Sequence, residues 1–329
     1  MEPVNAHRFS IAPMMDWTDR HCRFFHRQLS CHALLYTEMI TAKALIHGDA
    51  EKLLHFDASE YPVAVQLGGA EPDELAQAAK LAEDAGYGEI NLNVGCPSDR
   101  VQSGAFGAAL MAQPELVAEC VAAMQTVVSV PVTVKCRIGI DEQEAEQSLP
   151  AFIDIVAAAP CKTFIIHARK AWLKGLSPKD NRTIPPLDYD LVRTIKAARP
   201  DLRIILNGGL ADVDHALAES AALDGAMLGR AAYHTPWVLA DVDEKVFGKS
   251  GQRPDPEAVL EAMMVYAGQQ IAKGVPLHAI TRHILGLFAG EPGARAWRRT
   301  LSEDAPRPGA GPEVIARAAG AVLGESWAA

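Results

Sequence analysis

No stretch of this 329-residue chain approaches the roughly 18–20 uncharged apolar residues that a spanning helix needs, which excludes a bundle of membrane helices. Its opening, "MEPVNAHRFS", lacks the basic segment followed by an apolar core that export requires, so the expected location is the cytoplasm. The six cysteines (Cys22, Cys31, Cys96, Cys120, Cys136, Cys161) show no paired spacing of the zinc or redox type, and in a reducing compartment they are expected as free thiols with no metal. A G-x-G-x-x-G fingerprint opening a strand–helix–strand unit is missing, which argues against a built-in dinucleotide fold of that kind. No internal repeat or low-complexity tract appears. Net positive charge is missing too: 31 Lys and Arg stand against 41 Asp and Glu, which on its face disfavours a nucleic-acid partner.

What is present reverses that last inference locally. Residues 167–200 hold eight basic residues (Arg169, Lys170, Lys174, Lys179, Arg182, Arg193, Lys196, Arg199) against three acids, and residues 270–300 hold five against Glu291 alone. In the second segment Arg295 and Arg298 are three apart, on one face of a predicted helix, with Arg299 beside them. A solvated surface face is the ordinary account of such a cluster. With 49% hydrophobic and 22% charged residues the chain reads as a globular protein. Its length suits one large α/β domain and a smaller one, since single cores stop growing near ~250–300 residues.

Eight short apolar runs set the architecture: "SIAPM", "LLYTE", "VAVQLGG", "EINLNVG", "VTVKCRIG", "FIIHAR", "IILNGG" and "AMLGR". Between them lie stretches of helical period such as "DELAQAAKLAEDAG", "PELVAECVAAMQTVV" and "YDLVRTIKAARP". Continuous rather than alternating runs fit strands buried on both faces, and eight such units predict a (β/α)8 TIM barrel, with a doubly wound open sheet as the alternative. The pattern stops at the polar stretch "KSGQRPDP", and from Pro256 on about four amphipathic segments read as a small helical bundle. The expected domains are 1–248, a barrel, and 249–329, a C-terminal helical bundle.

Each run ends in a residue capable of chemistry: Pro13, Glu38, Gln66, Asn93, Lys135, His167, Asn207 and Arg230. Asn207, Gly208, Gly209, Gly229 and Arg230 follow the last two strands, where barrels commonly grip phosphate through bare backbone N–H groups. The phosphate of a sugar or of flavin mononucleotide (FMN) fits equally at this point. Gln66, Lys135 and His167 suit the polar edge of a ring lying across the barrel mouth, with Pro13 and Met14 on its apolar edge; a lysine beside a flavin's N1/O2 edge stabilises its reduced state. A Schiff-base lysine of an aldolase is the competing reading of Lys135. Cys96, between Gly95 and Pro97 just past a strand, is either a small buried residue or a proton donor, since an unactivated thiol stays mostly protonated at neutral pH.

The chain resembles the tRNA-dihydrouridine synthases, and within them the A subfamily, along almost its whole length. The resemblance is carried by "RFSIAPMMDWTDRHCRFF", "LLYTEMIT", "PVAVQLGG", "EINLNVGCPSDRVQSGAFGAALM", "PVTVKCRIGI", "FIIHARKAWLKGLSPKDNRTIPPLDY", "LNGG" and "ITRHILGLFAGEPGARAWRR". It implies an FMN barrel in which Pro13, Met14 and Met15 touch the flavin, Gln66, Lys135 and His167 bond its ring and ribityl chain, and Asn207, Gly208, Gly209, Gly229 and Arg230 hold its phosphate. Cys96 matches the family's general acid. Asn93, Lys179, Arg182, Arg295 and Arg298 match positions that contact tRNA.

The implied reaction reduces the C5=C6 bond of uridine at position 20, and 20a, of the tRNA D-loop, with NADPH or NADH re-reducing the FMN. Hydride reaching C6 builds negative charge on C5 and O4, and C5 must be protonated, the role expected of Cys96. The base must leave the folded tRNA to be reached. No membrane, metal or oligomeric partner is implied, and a monomer is expected. Two rivals stand beside this reading. One is an FMN-dependent barrel reductase of a free small-molecule pyrimidine or enone; the other is an RNA-binding or folding-assist protein whose catalysis is incidental.

Overall fold

The described residues contain eight parallel strands: β1 (Phe9–Ile11), β2 (Leu35–Thr41), β3 (Val63–Gly68), β4 (Ile90–Val94), β5 (Val132–Arg137), β6 (Thr163–His167), β7 (Arg203–Asn207) and β8 (Gly225–Leu228). In this computed structural model, which describes residues 6–98, 104, 106–249, 251, 253–324 and 327, they pair in the order β1-β8-β7-β6-β5-β4-β3-β2. A parallel bridge between Ser10 and Leu34 joins the two ends of that order. There the Ile11 N–H donates to Leu34 O at 2.9 Å and the Leu34 N–H to Phe9 O at 3.0 Å. The sheet is thus the closed (β/α)8 barrel that the apolar runs predict. Parts of two motifs, residues 99–103 and 105 after Cys96 and residues 250 and 252 at the expected domain boundary, lie outside the described residues.

Burial on both faces explains the continuous runs. Strands β3 and β4 are buried at every position, their outward side chains packed under the helices. Helix Pro72–Asp84 turns Leu75, Ala78, Ala79 and Ala82 inward, the spacing of one helical face, and begins on a proline whose missing N–H costs nothing at that position. Inside the barrel the lining divides in two. Ala12, Leu34, Tyr36, Ala64, Ile165, Ile205 and Met227 form an apolar cluster. Across β3, β4 and β5 the lining is polar, with Gln66, Asn91, Asn93 and Thr133 all buried.

The C-terminal segments are helical at Pro256–Ala272, Leu277–Thr281, Ala294–Asp304 and Glu313–Leu323. One expectation needs correction: "HAITRHILGLF" is helical only over Leu277–Thr281 and continues as turns. The chain there must come close to the barrel. A Cβ on Gly286 would lie 2.3 Å from His234 O, so backbone packs directly on backbone.

This seam is polar as well as apolar. Asp19, which caps helix Arg20–Leu29, also bonds Arg282 at 2.6 Å and His283 at 3.0 Å. Burial favours a neutral Asp19, but these two partners and the capping N–H groups win and hold its carboxyl well below the usual carboxylate range. His21 Nδ1 meets the Tyr266 hydroxyl at 2.8 Å, and Phe24 stacks on Tyr266 with centroids 3.9 Å apart.

The first basic segment is not one free surface. Arg193 pairs with Asp190 and Glu219, Lys196 with Asp224, and Arg199 with Asp154 and Asp201. What remains without an acidic ion-pair partner among the described residues is Arg169, Lys170, Lys174, Lys179 and Arg182, in the loop after β6. None of the cysteines is paired; Cys22, Cys120, Cys136 and Cys161 are buried, Cys31 is exposed and Cys96 is half-buried. No helix among the described residues is long and apolar enough to cross a membrane.

Candidate active site

The strand ends converge on a cavity of about 700 Å³ at the C-terminal mouth of the barrel. That volume is in the range of small-molecule sites. Pro13, Met14, Met15, Gln66, Lys135, His167, Asn207, Gly208, Gly209, Gly229 and Arg230 all line it, as do Cys96, Asn93 and Arg182. Lys179, Arg295 and Arg298 do not. Lys179 is an exposed neighbour of Arg182 in the same loop, and Arg295 and Arg298 are exposed on helix Ala294–Asp304. Glu38 does not line the cavity either; its carboxylate accepts the Asp16 N–H at 2.5 Å and so shapes the loop after β1.

Two observations test whether the lining suits a flavin phosphate. The charged lining is Lys135, Arg137, Arg182 and Arg230 against Asp16 alone. These cations depress one another. Burial and then Arg137 push Lys135 down to about 8. Burial, followed by Arg137 and Lys135, holds His167 well below its ordinary range, so its ring is neutral near pH 7. Burial and then Arg230 lower Arg182.

The second observation is room at the backbone. A Cβ at Gly229 would meet nothing within 4 Å, while one at Gly208, where φ is +110°, would strike the His167 ring at 2.4 Å. Gly229 leaves its backbone open to a ligand, and Gly208 lets the chain turn tightly beside the imidazole. A cationic cavity with bare backbone beside it fits a phosphate dianion, and Pro13, Met14 and Met15 add an apolar wall for a ring. The residues present therefore fit FMN.

Hydrogen bonds fix most of these groups. Lys135 Nζ donates to Asn207 Oδ1 at 2.9 Å, and Asn207 Nδ2 donates to Met227 O at 2.8 Å. The Tyr189 hydroxyl donates to Gly208 O at 2.6 Å. Cys96 sits at the edge of the cavity, its backbone N–H donating to Asn93 Oδ1 at 3.0 Å and its Sγ 3.5 Å from Ser98 Oγ. Lys135, Arg137 and Arg182 all lie within electrostatic reach of its sulfur.

Arg137, Trp17 and His234 line the cavity as well and have no counterpart in the strand-end list. Arg137 donates to Gly95 O at 3.2 Å and to Asn181 O at 2.9 Å, tying the Cys96 loop to the loop carrying Lys179 and Arg182. Alternation was the available signal, since residues two apart on a strand share a face and Lys135 faces the cavity. Trp17 and His234 escaped because their placement depends on partners far away in the chain. Trp17 stacks on Tyr233, with centroids 4.5 Å apart and planes 8° from parallel, and His234 meets it edge-on. The Tyr233 hydroxyl lies 3.2 Å from His283 Nδ1, so the C-terminal module reaches the cavity wall through one ring.

Comparison with known proteins adds to this geometry. The family model described as dihydrouridine synthase matches residues 10–318. The chain is 58% identical over 307 residues to the tRNA-dihydrouridine(20/20a) synthase of Shewanella oneidensis, covering 93% of this chain and 91% of that protein. Against the protein of the same name from Vibrio cholerae the figures are 55% over 312 residues, covering 94% and 95%. For that of Escherichia coli strain K12 they are 56% over 312 residues, covering 94% and 90%. Among solved structures, a 2-naphthoyl-CoA reductase complex overlays with a TM-score of 0.55 at 12% identity, covering 74% of this chain. This chain spans about half of that one (52%), and the likeness shows the fold alone.

Proposed function

The chain belongs to the dihydrouridine synthase family, flavin-dependent oxidoreductases, and from that premise we propose that it is a tRNA-dihydrouridine(20/20a) synthase that uses FMN, NADPH as reductant and Cys96 as general acid. The observation that carries this reading is the convergence of Cys96, the cationic phosphate-suited strand ends and the apolar Pro13–Met15 loop on one cavity. The names borne by relatives more than half identical across nine-tenths of the chain support the substrate and the positions.

When bound and reduced, FMN supplies hydride for C6 of the uracil ring. The chain's own residues do the rest. Asn207, Gly208, Gly209, Gly229 and Arg230 hold the phosphate, Gln66, Lys135 and His167 bond the ring and ribityl chain, and Pro13, Met14 and Met15 cover the ring's apolar edge. As charge develops on C5 and O4, the Cys96 Sγ–H transfers its proton to C5. Lys135, Arg137 and Arg182 stabilise the thiolate left behind, which regains a proton from solvent. The balance is uridine, NADPH and one proton giving dihydrouridine and NADP⁺.

Residues 1–248 form the catalytic domain in this account and 249–329 the tRNA-binding one. Asn93, Lys179, Arg182, Arg295 and Arg298 face the tRNA. Arg295, Arg298 and Arg299 have no ion pair among the described residues, so their charge is available to phosphates.

Two results are expected. Purified protein shows flavin absorption bands that NADPH bleaches without oxygen and unmodified tRNA restores, whereas free uridine leaves them bleached; restoration by free uridine would favour the small-molecule reductase. Affinity for FMN depends on pH through Lys135. A flavin oxygen accepting a hydrogen bond from the charged form of this lysine raises its bound pKa above the free value of about 8, so binding takes up a proton where the two differ. Affinity is full below about 8 and falls above it by up to about tenfold per pH unit until the bound value is passed. Fluorescence titrations of FMN at pH 7 and pH 9.5 measure this, and equal dissociation constants would remove Lys135 from the binding.

A further inference from the structure

The polar half of the barrel lining is a single hydrogen-bonded series. Starting at the cavity, Asn93 Oδ1 accepts the backbone N–H groups of Gly95 and Cys96 at 3.1 and 3.0 Å. Asn93 Nδ2 donates to Gln66 Oε1 and Gln66 Nε2 to Asn91 Oδ1, both at 2.8 Å. Asn91 Nδ2 donates to Thr133 Oγ1 at 2.8 Å, and the Thr133 hydroxyl donates to Glu89 Oε1 at 2.7 Å. The Tyr36 hydroxyl donates to the same carboxylate oxygen at 2.6 Å, and His7 Nε2 lies 2.8 Å from the other. All these side chains are buried. Of the series only Gln66 and Asn93 line the cavity; Asn91, Thr133 and Glu89 do not.

A primary amide can be turned end for end with little change of shape, so what orients these three is their partners. Here both termini dictate the same direction. Backbone N–H groups only donate, which obliges Asn93 to present its oxygen to the Cys96 loop and its nitrogen to Gln66. At the other end a carboxylate only accepts, which obliges Thr133 to give it a proton and to offer a lone pair to Asn91. Reversing any one amide sets donor against donor on one side and acceptor against acceptor on the other, among buried side chains.

We propose that this one-way series, anchored on Glu89 and passed through Thr133 and Asn91, is a positioning device that fixes how Gln66 presents its remaining hydrogen and lone pair to the bound flavin and how Asn93 keeps one hydrogen for the cavity while its oxygen holds the Cys96 loop. It rests on the reading of Gln66 as an FMN contact and adds residues that touch neither cofactor nor substrate. Thr133 and Asn91 are thereby positioning residues rather than members of the site.

The test uses the full chain loaded with FMN. Thr133→Val keeps the shape and removes both hydrogen bonds, Thr133→Ser keeps both, and Thr133→Ala replaces the valine variant should that fail to fold. Tyr36→Phe removes a buried hydrogen bond to the same carboxylate outside the series, and so controls for mere loss of stability. The readouts are the FMN dissociation constant, the absorption spectrum of the bound flavin and the thermal midpoint of the apoprotein.

Thr133→Val is expected to weaken FMN binding by about 10- to 100-fold, the effect of leaving one buried amide mispaired, and to move the flavin bands. Thr133→Ser and Tyr36→Phe stay within about threefold of the parent, in keeping with a series left intact. Equal binding and spectra for the valine variant, no rescue by serine, or an equal loss in Tyr36→Phe would each overturn the proposal. Gln66→Ala separates the layers. If it weakens FMN binding while Thr133→Val does not, the series falls and the FMN reading stands; if neither variant weakens it, the assignment of Gln66 falls and the proposal with it.

Discussion

Replacing Cys96 by alanine lowers the rate of dihydrouridine formation by about 10²–10⁴-fold, the usual contribution of a positioned general acid, while FMN and tRNA binding stay within a few-fold of the parent. The asymmetry follows from where the residue sits. Its backbone N–H, not its sulfur, anchors the loop to Asn93, and the only hydrogen-bond partner of Sγ among the described residues is Ser98. Alanine therefore leaves the loop tied and removes the proton alone. Single-turnover kinetics with pre-reduced enzyme isolates this step. An unchanged rate would give the proton to another group, and an equal loss of tRNA affinity would make Cys96 a binding residue.

Reversing charge at Arg295 and Arg298 together lowers kcat/KM for tRNA by about 100-fold or more, carried by KM, and leaves FMN binding and the flavin spectrum unchanged. Both side chains are exposed on one face of helix Ala294–Asp304 without ion-pair partners among the described residues, and a hydrogen bond to a charged group is worth about 1.5–3 kcal/mol, so two lost phosphate contacts at the low end of that range give about 100-fold. The salt dependence supplies an independent check. Each lost phosphate contact reduces the slope of log affinity against log salt by about 0.7–0.9, so the double variant should flatten it by about 1.5. A reductase of free pyrimidines would be indifferent to both changes.

Much of this site was legible because the barrel is regular. Strands buried on both faces must read as continuous apolar runs, and the residues that end them, Glu38 excepted, stand at the mouth, which is why Gln66, Lys135, His167 and Asn207 come together as expected. Cys96 was legible for a similar reason, just past the end of β4, where the Gly95 and Cys96 N–H groups are held by Asn93 Oδ1. What escaped depends on partners distant in the chain. Arg193, Lys196 and Arg199 count as a basic segment on paper, but Glu219, Asp224 and Asp154 meet them from other elements. The contact of Asp19 with Arg282 and His283 joins residues more than 260 apart, and no local pattern announces it. Asn93 shows the same limit in one side chain. Its motif points to tRNA, while the fold has already committed its oxygen to the Cys96 loop and one amide hydrogen to Gln66.

The most direct test of the account is nucleotide-resolution mapping of dihydrouridine in tRNA from a strain lacking this protein, complemented with the parent or with Cys96→Ala. The account predicts loss of dihydrouridine at positions 20 and 20a, full restoration by the parent and none by the alanine variant. An unchanged dihydrouridine pattern in the deletion strain, or restoration by Cys96→Ala, would contradict it.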